Sequence, residues 1–506
     1  MASEENKLDD VYDAVIVGGG VAGATAAYRL QNVLSKKKGV NNNDGCKVLL
    51  LEAKARLGGR TLTESVKVND GQEMFDLGGQ WIGRTQHHIL WLMKELGIEY
   101  YEQYTLGSKF LCLGDGKIRK YNSSLPKLSF MALLDLGNVM LQINRMGKKV
   151  PPDSIHKCKQ AEEWDSMTVD TFIRKTMWTK EARETLETAI HVIFGATPKE
   201  LSLLYFLQYG NAAGGCEALV ETAKGGAQEF RIKGGAQQIS EKAAEKIGSE
   251  NVWLSEPVKL IDQSNPDFVT IVTESGKEVK TKHVIVAAPI HCVENIKFKP
   301  GLPMDRHYLA QRMPIGHLMK FIVTLKKAFW RDAGLSGEVV SLGGPPVVDG
   351  CDTGPIQLVY DAVTSNGSPA LVGFFSNSRQ WRKIEPSVRR REVVKSLVDY
   401  FGLQADDVID YVDKDWAEEE YNGGCPVNIM TTGAMTLFHD TLREPVDRVH
   451  WAGTETSTIW TGYISGAVQT GLRAAEQVIN KIDPTWTQDG LLDSLDKKSL
   501  VASDNF

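Results

Sequence analysis

An α/β chain, in which an opening strand–turn–helix unit is interleaved with a second region of α+β character, is what three features of this 506-residue sequence predict. From Tyr12, YDAVIVGGGVAGATAAYRLQNVL passes from an apolar strand through glycines into an alanine-rich helix. A central stretch from about 101 to 232 spaces its apolar residues as helices do. After it come β-branched segments punctuated by N-P and S-G turns. The length accommodates roughly two to four domains at ~100–200 residues each.

Within the opening unit Gly18, Gly20 and Gly23 form G-x-G-x-x-G. The first permits a tight turn, the second lets backbone approach a pyrophosphate, and the third lets helix pack on strand, with helix N–H groups facing the phosphates. A second apolar strand, Lys47 to Leu51, ends at Glu52, the carboxylate position for a ribose hydroxyl pair. The reading is therefore a Rossmann-like dinucleotide site. Between helix and strand, SKKKGVNNNDG reads as a solvated insert, with Lys36, Lys37 and Lys38 exposed. In the central stretch, EEWDSMTVDTFIRKT and KEARETLETAIHVIF read as helices capped by Ser166 and Thr179. VKLIDQS, FVTIVTES and KTKHVIVAAP read as strands; HLMKFIVTLKKAFW and SPALVGFF as a further sheet with the helix RREVVKSLVDYFG behind it. Arg389, Arg390 and Arg391 are expected on that helix's exposed face, and His87 and His88 in solvent. Near the end, DRVHWAGTETSTIWTGYISGAVQTGLRAAEQVI gives a strand to Gly453 and a helix from about Gly462.

Composition narrows the function. With 58 basic against 64 acidic residues the net charge is −6, so no basic excess exists for nucleic acid. Seven scattered cysteines without a C-x-x-C pair argue against a disulfide scaffold or a metal site. H-E-x-x-H, G-x-S-x-G and P-loop strings are absent. The start is polar, and the longest apolar stretch, SFMALLDLGNVMLQI, is broken by Asp135 and Asn138. A soluble, cytoplasmic chain is expected. A lysine inside an apolar strand, Lys320, costs desolvation and asks for a polar partner.

Beyond Glu52 lie LEAKARLGGR, with Gly58, Gly59 and Arg60, and FDLGGQWIG, with Gly78 and Gly79. Together with G-x-G-x-x-G and WAGTETSTIWTGYISGA they resemble the flavin-dependent amine oxidases, particularly the monoamine oxidases, over nearly the whole chain. The resemblance implies the two-domain fold of that family. FAD is expected in residues 10–100, 233–309 and 419–481, covered by a substrate domain of 101–232 and 310–418, with polar termini at 1–9 and 482–506. It implies that Arg60 reaches the pyrophosphate, Val258 the adenine side, and Glu455 the ribityl or phosphate region, while the late helix N-terminus faces the flavin's anionic edge. The run Trp416, Tyr421, Gly423, Gly424, Cys425 looks like the segment whose cysteine carries FAD through an 8α-thioether. Lys320 matches the lysine that holds a water near flavin N5, and Tyr463 one tyrosine of an aromatic cage. Trp81, Tyr209, Leu219, Val220, Leu358 and, with Ala227 as an insertion, Gln228 match substrate-pocket positions.

The expected reaction is oxidation of a primary amine to an imine, hydrolysed to aldehyde, with O2 reduced to hydrogen peroxide. Two departures stand out. Pro426 occupies the place of the second cage tyrosine, and a polar tail stands where resembled animal enzymes carry a hydrophobic anchor. Putrescine or polyamine oxidation would need pocket acids that sequence does not place; L-amino-acid oxidation would need an arginine clamp, for which Arg84 is the candidate. A flavin-binding scaffold or sensor is the non-enzymatic alternative, and a homodimer a possible assembly.

Overall fold

The computed structural model describes residues 11–37, 46–123, 126–222 and 224–503. The polar start (1–9) and most of the lysine- and asparagine-rich insert (38–45) lie outside the described residues.

Strand β1 (Val11–Val17) runs parallel to β2 (Val48–Leu51) on one side and to Glu278–Val286 on the other. Ala14, Val15 and Ile16 are wholly buried, because both faces of a parallel sheet are covered and an unbroken apolar run is what such a strand needs. Val252–Trp253 extends the sheet beyond β2, while Val269–Thr273, Val258–Asp262 and Lys297–Lys299 extend the other edge. Val449–Trp451 pairs in parallel with Glu278–Val286, completing eight strands among the described residues. Helix α1 (Val21–Lys37) follows a turn at Gly18, whose φ of +109° suits glycine alone. A Cβ at Gly23 would stand 1.9 Å from Gly18 O, so the third glycine allows the helix to sit directly on the turn. Helix α2 (Ile464–Ile482) lies against α1 through small residues; a Cβ at Gly471 would meet Ala22 O at 2.4 Å.

The second sheet has seven strands among the described residues: β3 (Ser108–Cys112), β4 (Ile118–Tyr121), β5 (Met319–Leu325), β6 (Leu335–Ser341), β7 (Ile356–Asp361), β8 (Ala370–Phe375) and β9 (Val408–Asp415), in the order β9-β5-β8-β7-β6-β3-β4. Its alternation divides the two faces. Met319, Phe321 and Val323 join the core beneath helix Pro386–Phe401, whereas Ile322, Leu358 and Val372 join a different core with Trp416. Register aligns Lys320, Phe374, Leu358, Val340 and Leu111 on five consecutive strands. Helices between 130 and 212 form a third body around Phe194, Tyr205 and Tyr209.

Several local expectations need correction. EEWDSMTVDTFIRKT is two helices, Ala161–Asp165 and Val169–Thr176, and the second is capped by Thr168, which accepts from Thr171 N, rather than by Ser166. Thr179 stands at the N-cap of Lys180–Phe194, yet its hydroxyl donates to Asp135 Oδ2 (2.8 Å) instead of capping. Arg389 is buried and paired with Asp413 (2.8 Å), since β9 presents a carboxylate to that side of its helix. His88 is fully buried, with Nε2 2.7 Å from Asp496 Oδ1. Asp496 belongs to helix Leu491–Ser503, so the polar tail folds back, docking Leu495 beside Ile89 and Leu92. Among the described residues no helix is long and apolar enough to cross a membrane.

Candidate functional site

A cavity of about 510 Å³ runs from the G-x-G-x-x-G turn to the second sheet. At the turn its wall is main chain: Gly18, Gly20, Gly58, Gly59, Gly78 and Gly79 all line it. A Cβ on Gly20 would find nothing nearer than Gly58 O at 3.8 Å, so that face opens on the cavity. Gly78 is needed for a different reason, since a Cβ there would meet Arg60 O at 2.4 Å. Glu52 closes the end of β2: Oε2 accepts from Gly19 N (2.6 Å) and Oε1 from Lys54 N (2.9 Å), holding the carboxylate against the turn. Val258 lines the same end.

Arg60 also lines the cavity, but its guanidinium is anchored. Nη1 donates to Glu455 Oε1 (2.5 Å) and to Pro426 O (2.9 Å), and Nη2 to Glu455 Oε2 (3.1 Å). Burial works against charge on either partner; their mutual attraction outweighs it, raising the guanidinium's pKa and lowering the carboxyl's. Glu455 is 3% exposed and is not among the cavity-lining residues; its carboxylate holds the Arg60 guanidinium in place. Gly23 is likewise off the wall, as its packing role requires. The first turn of α2, with Tyr463, Ile464 and Ala467, faces the cavity.

Toward the second sheet the wall becomes side chains. Lys320 is 2% exposed; Nζ donates to Gly78 O (2.9 Å) and Gln80 Oε1 (2.5 Å) and lies 5.4 Å from the Trp81 ring centroid and 5.8 Å from that of Phe374. Burial pushes its pKa down to about 7, against the opposing pull of Asp76. Trp81 is fixed by Nε1 donating to Gln103 Oε1 (2.8 Å) and by an edge-on contact with Tyr360 at 5.3 Å. Tyr209 and Tyr463 stand with ring centroids 6.2 Å apart, and Gly462 is where it is because any Cβ would strike the Tyr209 hydroxyl at 2.1 Å. Leu219 O accepts from Tyr463 Oη (3.2 Å) and from Gln228 Nε2 (3.0 Å), leaving Gln228 Oε1 buried without a partner among the described residues. Val220 and Leu358 complete the anticipated lining. Cys425 and Trp416 are on the wall too; Trp416 Nε1 donates to Leu77 O (2.9 Å), and Cys425 Sγ lies 3.7 Å from Leu318 O. Burial pushes the Cys425 thiol up to about 12, with Arg60 and Lys320 opposing.

Thus every anticipated site residue except Gly23 and Glu455 lines one cavity. Sequence reasoning missed Gln80, Tyr360, Phe374 and Glu338, all on the wall. The signal that singled out Lys320, a charge inside an apolar strand, is present for Glu338 in LSGEVVS. Arg84 is not on the wall; Glu229 holds it through a bidentate pair.

A glycine-walled phosphate turn, a strand-end carboxylate and a chamber with a buried lysine and aromatic walls define a dinucleotide-dependent oxidoreductase. Residues 21–479 match the flavin containing amine oxidoreductases, and the chain belongs to that family. It is 35% identical to a probable flavin-containing monoamine oxidase A of Dictyostelium discoideum over 94% of this chain and 99% of that one. It is 33% identical to the flavin-containing amine oxidase A of Equus caballus, over 99% and 92%. Among solved structures, cyclohexylamine oxidase from Brevibacterium oxydans superposes with a TM-score of 0.84 at 29% identity, covering 94% of this chain and all of that one. The chain is a FAD-dependent amine oxidase.

Proposed function

We propose that the chain oxidises primary amines in the manner of monoamine oxidases, releasing aldehyde and hydrogen peroxide, with Lys320 and Tyr463 as catalytic residues and Cys425 as the point of FAD attachment. In this reading 10–100, 233–309 and 419–481 hold the cofactor, and 101–232 and 310–418 cover its reactive end. Bound FAD supplies two-electron acceptance from the amine and reoxidation by O2. The observation that carries the reading is the continuity of the cavity from Gly18 and Gly20 to Lys320, which is tethered to Gly78, a residue of the cofactor wall.

Each residue's part follows from its surroundings. Leu219, Leu358 and Phe374 exclude water and favour a neutral amine. Tyr209 and Tyr463 present rings that align it. Lys320, with a pKa near neutrality, holds or moves a proton at Nζ while Gly78 O and Gln80 Oε1 fix its position. Arg60, held by Glu455, meets the pyrophosphate with charge-assisted hydrogen bonds. An L-amino-acid oxidase reading loses its arginine clamp, because Arg84 is engaged by Glu229 away from the cavity.

The test is peroxide release by the flavin-loaded chain with benzylamine, tyramine, putrescine and an L-amino acid. Sustained release with the aromatic amines supports the reading; release with the amino acid alone defeats it. For attachment, acid precipitation should leave the yellow colour with the protein, and Cys425→Ala should free it. Colour released from the unaltered chain would rule the thioether out.

A further inference from the structure

The segment between Trp416 and Cys425 walls the cavity, yet its main chain hardly holds it there. Trp416, Tyr421, Asn422 and Cys425 all line the cavity. Among the described residues no main-chain group of 417–424 pairs with main chain outside 416–424: Glu419 N bonds to Trp416 O, and Asn422 N and Gly423 N to Glu419 O. Two side chains reach its carbonyls, His291 Nε2 at Asn422 O (2.9 Å) and Cys292 Sγ at Tyr421 O (3.4 Å). Tyr421 takes φ +59°, a left-handed conformation uncommon outside glycine.

Glu419 supplies the tie that the main chain lacks. Oε1 accepts from Lys54 Nζ (2.8 Å) and Arg56 Nη2 (2.5 Å), and Oε2 from Lys414 Nζ of β9. Lys54 Nζ also donates to Asn422 Oδ1, while Arg56 Nη2 continues to Gly59 O (3.1 Å), so the tie runs to the loop that carries the main-chain wall. Burial works against charge on Glu419, but hydrogen bonds from Lys414, Lys54 and Arg56 outweigh it and bring its carboxyl down to about 2. Glu418 and Glu420 bond none of these three cations among the described residues. One carboxylate thus gathers three cations that repel one another, and without its charge nothing holds them together. On the outer side lies a second cleft of about 520 Å³, which includes Arg56 and Glu419 and shares Ala53, Lys54, Pro257 and Tyr421 with the cavity.

We infer that Glu419 is a latch: paired, it positions 416–425 against the cofactor wall, and its release opens the cavity toward the outer cleft so that FAD can enter. The segment turns on Gly423 and Gly424, because Cys425 N beyond them is fixed to Gly316 O (2.9 Å). The latch concerns entry of the family's cofactor and stands or falls whichever amine is oxidised.

The test uses the full-length chain produced in riboflavin-starved cells, with uptake of added FAD followed by the change in flavin fluorescence. Glu419→Gln should take up FAD about tenfold faster or more than the unaltered chain, the effect of one charge-assisted hydrogen bond released. Loss of a merely structural or cofactor-holding contact would speed release and leave uptake unchanged or slower. Equal or slower uptake by folded Glu419→Gln therefore overturns the latch. Should Glu419→Gln not fold, Glu419→Asp decides, since it keeps the charge but withdraws it by one methylene: faster uptake supports the latch, and unchanged or slower uptake overturns it. Should the flavin-free chain not fold, alkylation of Cys292 by iodoacetamide in the flavin-loaded proteins decides, read by peptide mass beside the buried Cys112. Faster alkylation of Cys292 alone in the Glu419 variant supports the latch; an equal rate, or a like rise at Cys112, overturns it.

Discussion

At the end of the cavity beneath β1 the wall is main chain, supplied by Gly18, Gly20, Gly58, Gly59, Gly78 and Gly79; over the second sheet it is side chain, supplied by Lys320, Phe374, Leu358, Val340 and Glu338. At Gly18, Gly58 and Gly78 the first wall leaves little room for an added atom, and it carries little chemistry of its own beyond N–H groups and the helix N-terminus. The second wall can exchange one side chain for another of like volume without moving the backbone, and each exchange alters what is recognised or protonated. Pro426 touches both: its carbonyl accepts from Arg60 Nη1, and the residue itself lines the cavity.

The strongest way to break this contrast is to put one methyl group on the main-chain wall's support. In Gly23→Ala the new Cβ would stand 1.9 Å from Gly18 O, a backbone atom that cannot yield without moving the turn. The expected outcome is a protein purified without flavin colour and destabilised by more than about 3 kcal/mol in urea unfolding. A yellow Gly23→Ala protein of ordinary stability would show that the turn is not under this constraint.

The same contrast explains what the sequence reveals. Gly18, Gly20, Gly23 and Glu52 are legible because a backbone wall demands a residue type at fixed local spacing, and strand, turn and helix are contiguous. Lys320 is legible because a charge within β5 contradicts its apolar surroundings. Glu338 offers the same signal and passes unread, since Lys109 and Tyr360 reach it only through the register of three strands. Gln80 gives no signal: a neutral amide beside two glycines reads as loop, and Lys320 is 240 residues away in the chain. Arg60 and Glu455 are each legible singly, yet their pairing across 395 residues is not. The caps mislead for a local reason, because Ser166 and Thr168 are both plausible and only the break between the two helices chooses Thr168.

A smaller effect is expected from Lys320→Met, which keeps the volume of the side chain and removes its ionisable nitrogen. The fold and flavin colour should persist, while turnover falls by about a hundredfold if Lys320 handles a proton in the reaction. A pH-rate limb near 7 should vanish with it. Stability should change in the opposite sense. The folded value of about 7 lies below the ordinary 10.5, so between these values the unfolded chain binds the proton more readily and stability rises with pH; below about 7 the cost of burying the charge is paid in full. Lys320→Met should therefore gain more stability at pH 7 than at pH 10, as urea midpoints will report. A uniform change at both pH values would mean that Lys320 is not buried as a titrating group.

The mildest change sharpens the contrast most, because Gln80 sits between the two walls, one residue from Gly79 and bonded to Lys320. An ammonium has only donors, so the oxygen of the Gln80 amide faces it and the nitrogen is turned away, buried without a partner among the described residues. In Gln80→Leu the oxygen is lost but Gly78 O remains, leaving Lys320 one acceptor fewer in the same apolar surroundings. The charged form loses a hydrogen bond and the neutral form loses less, so the pH-rate limb should move down by about one unit and turnover at neutral pH should change by no more than about tenfold. Flavin content should be unaltered, since no main-chain wall residue has changed. A Gln80→Leu protein whose limb stays in place would assign the tether to Gly78 alone, making Lys320 wholly a dependent of the cofactor wall; one that loses its flavin would show that the two walls are not separable at this point.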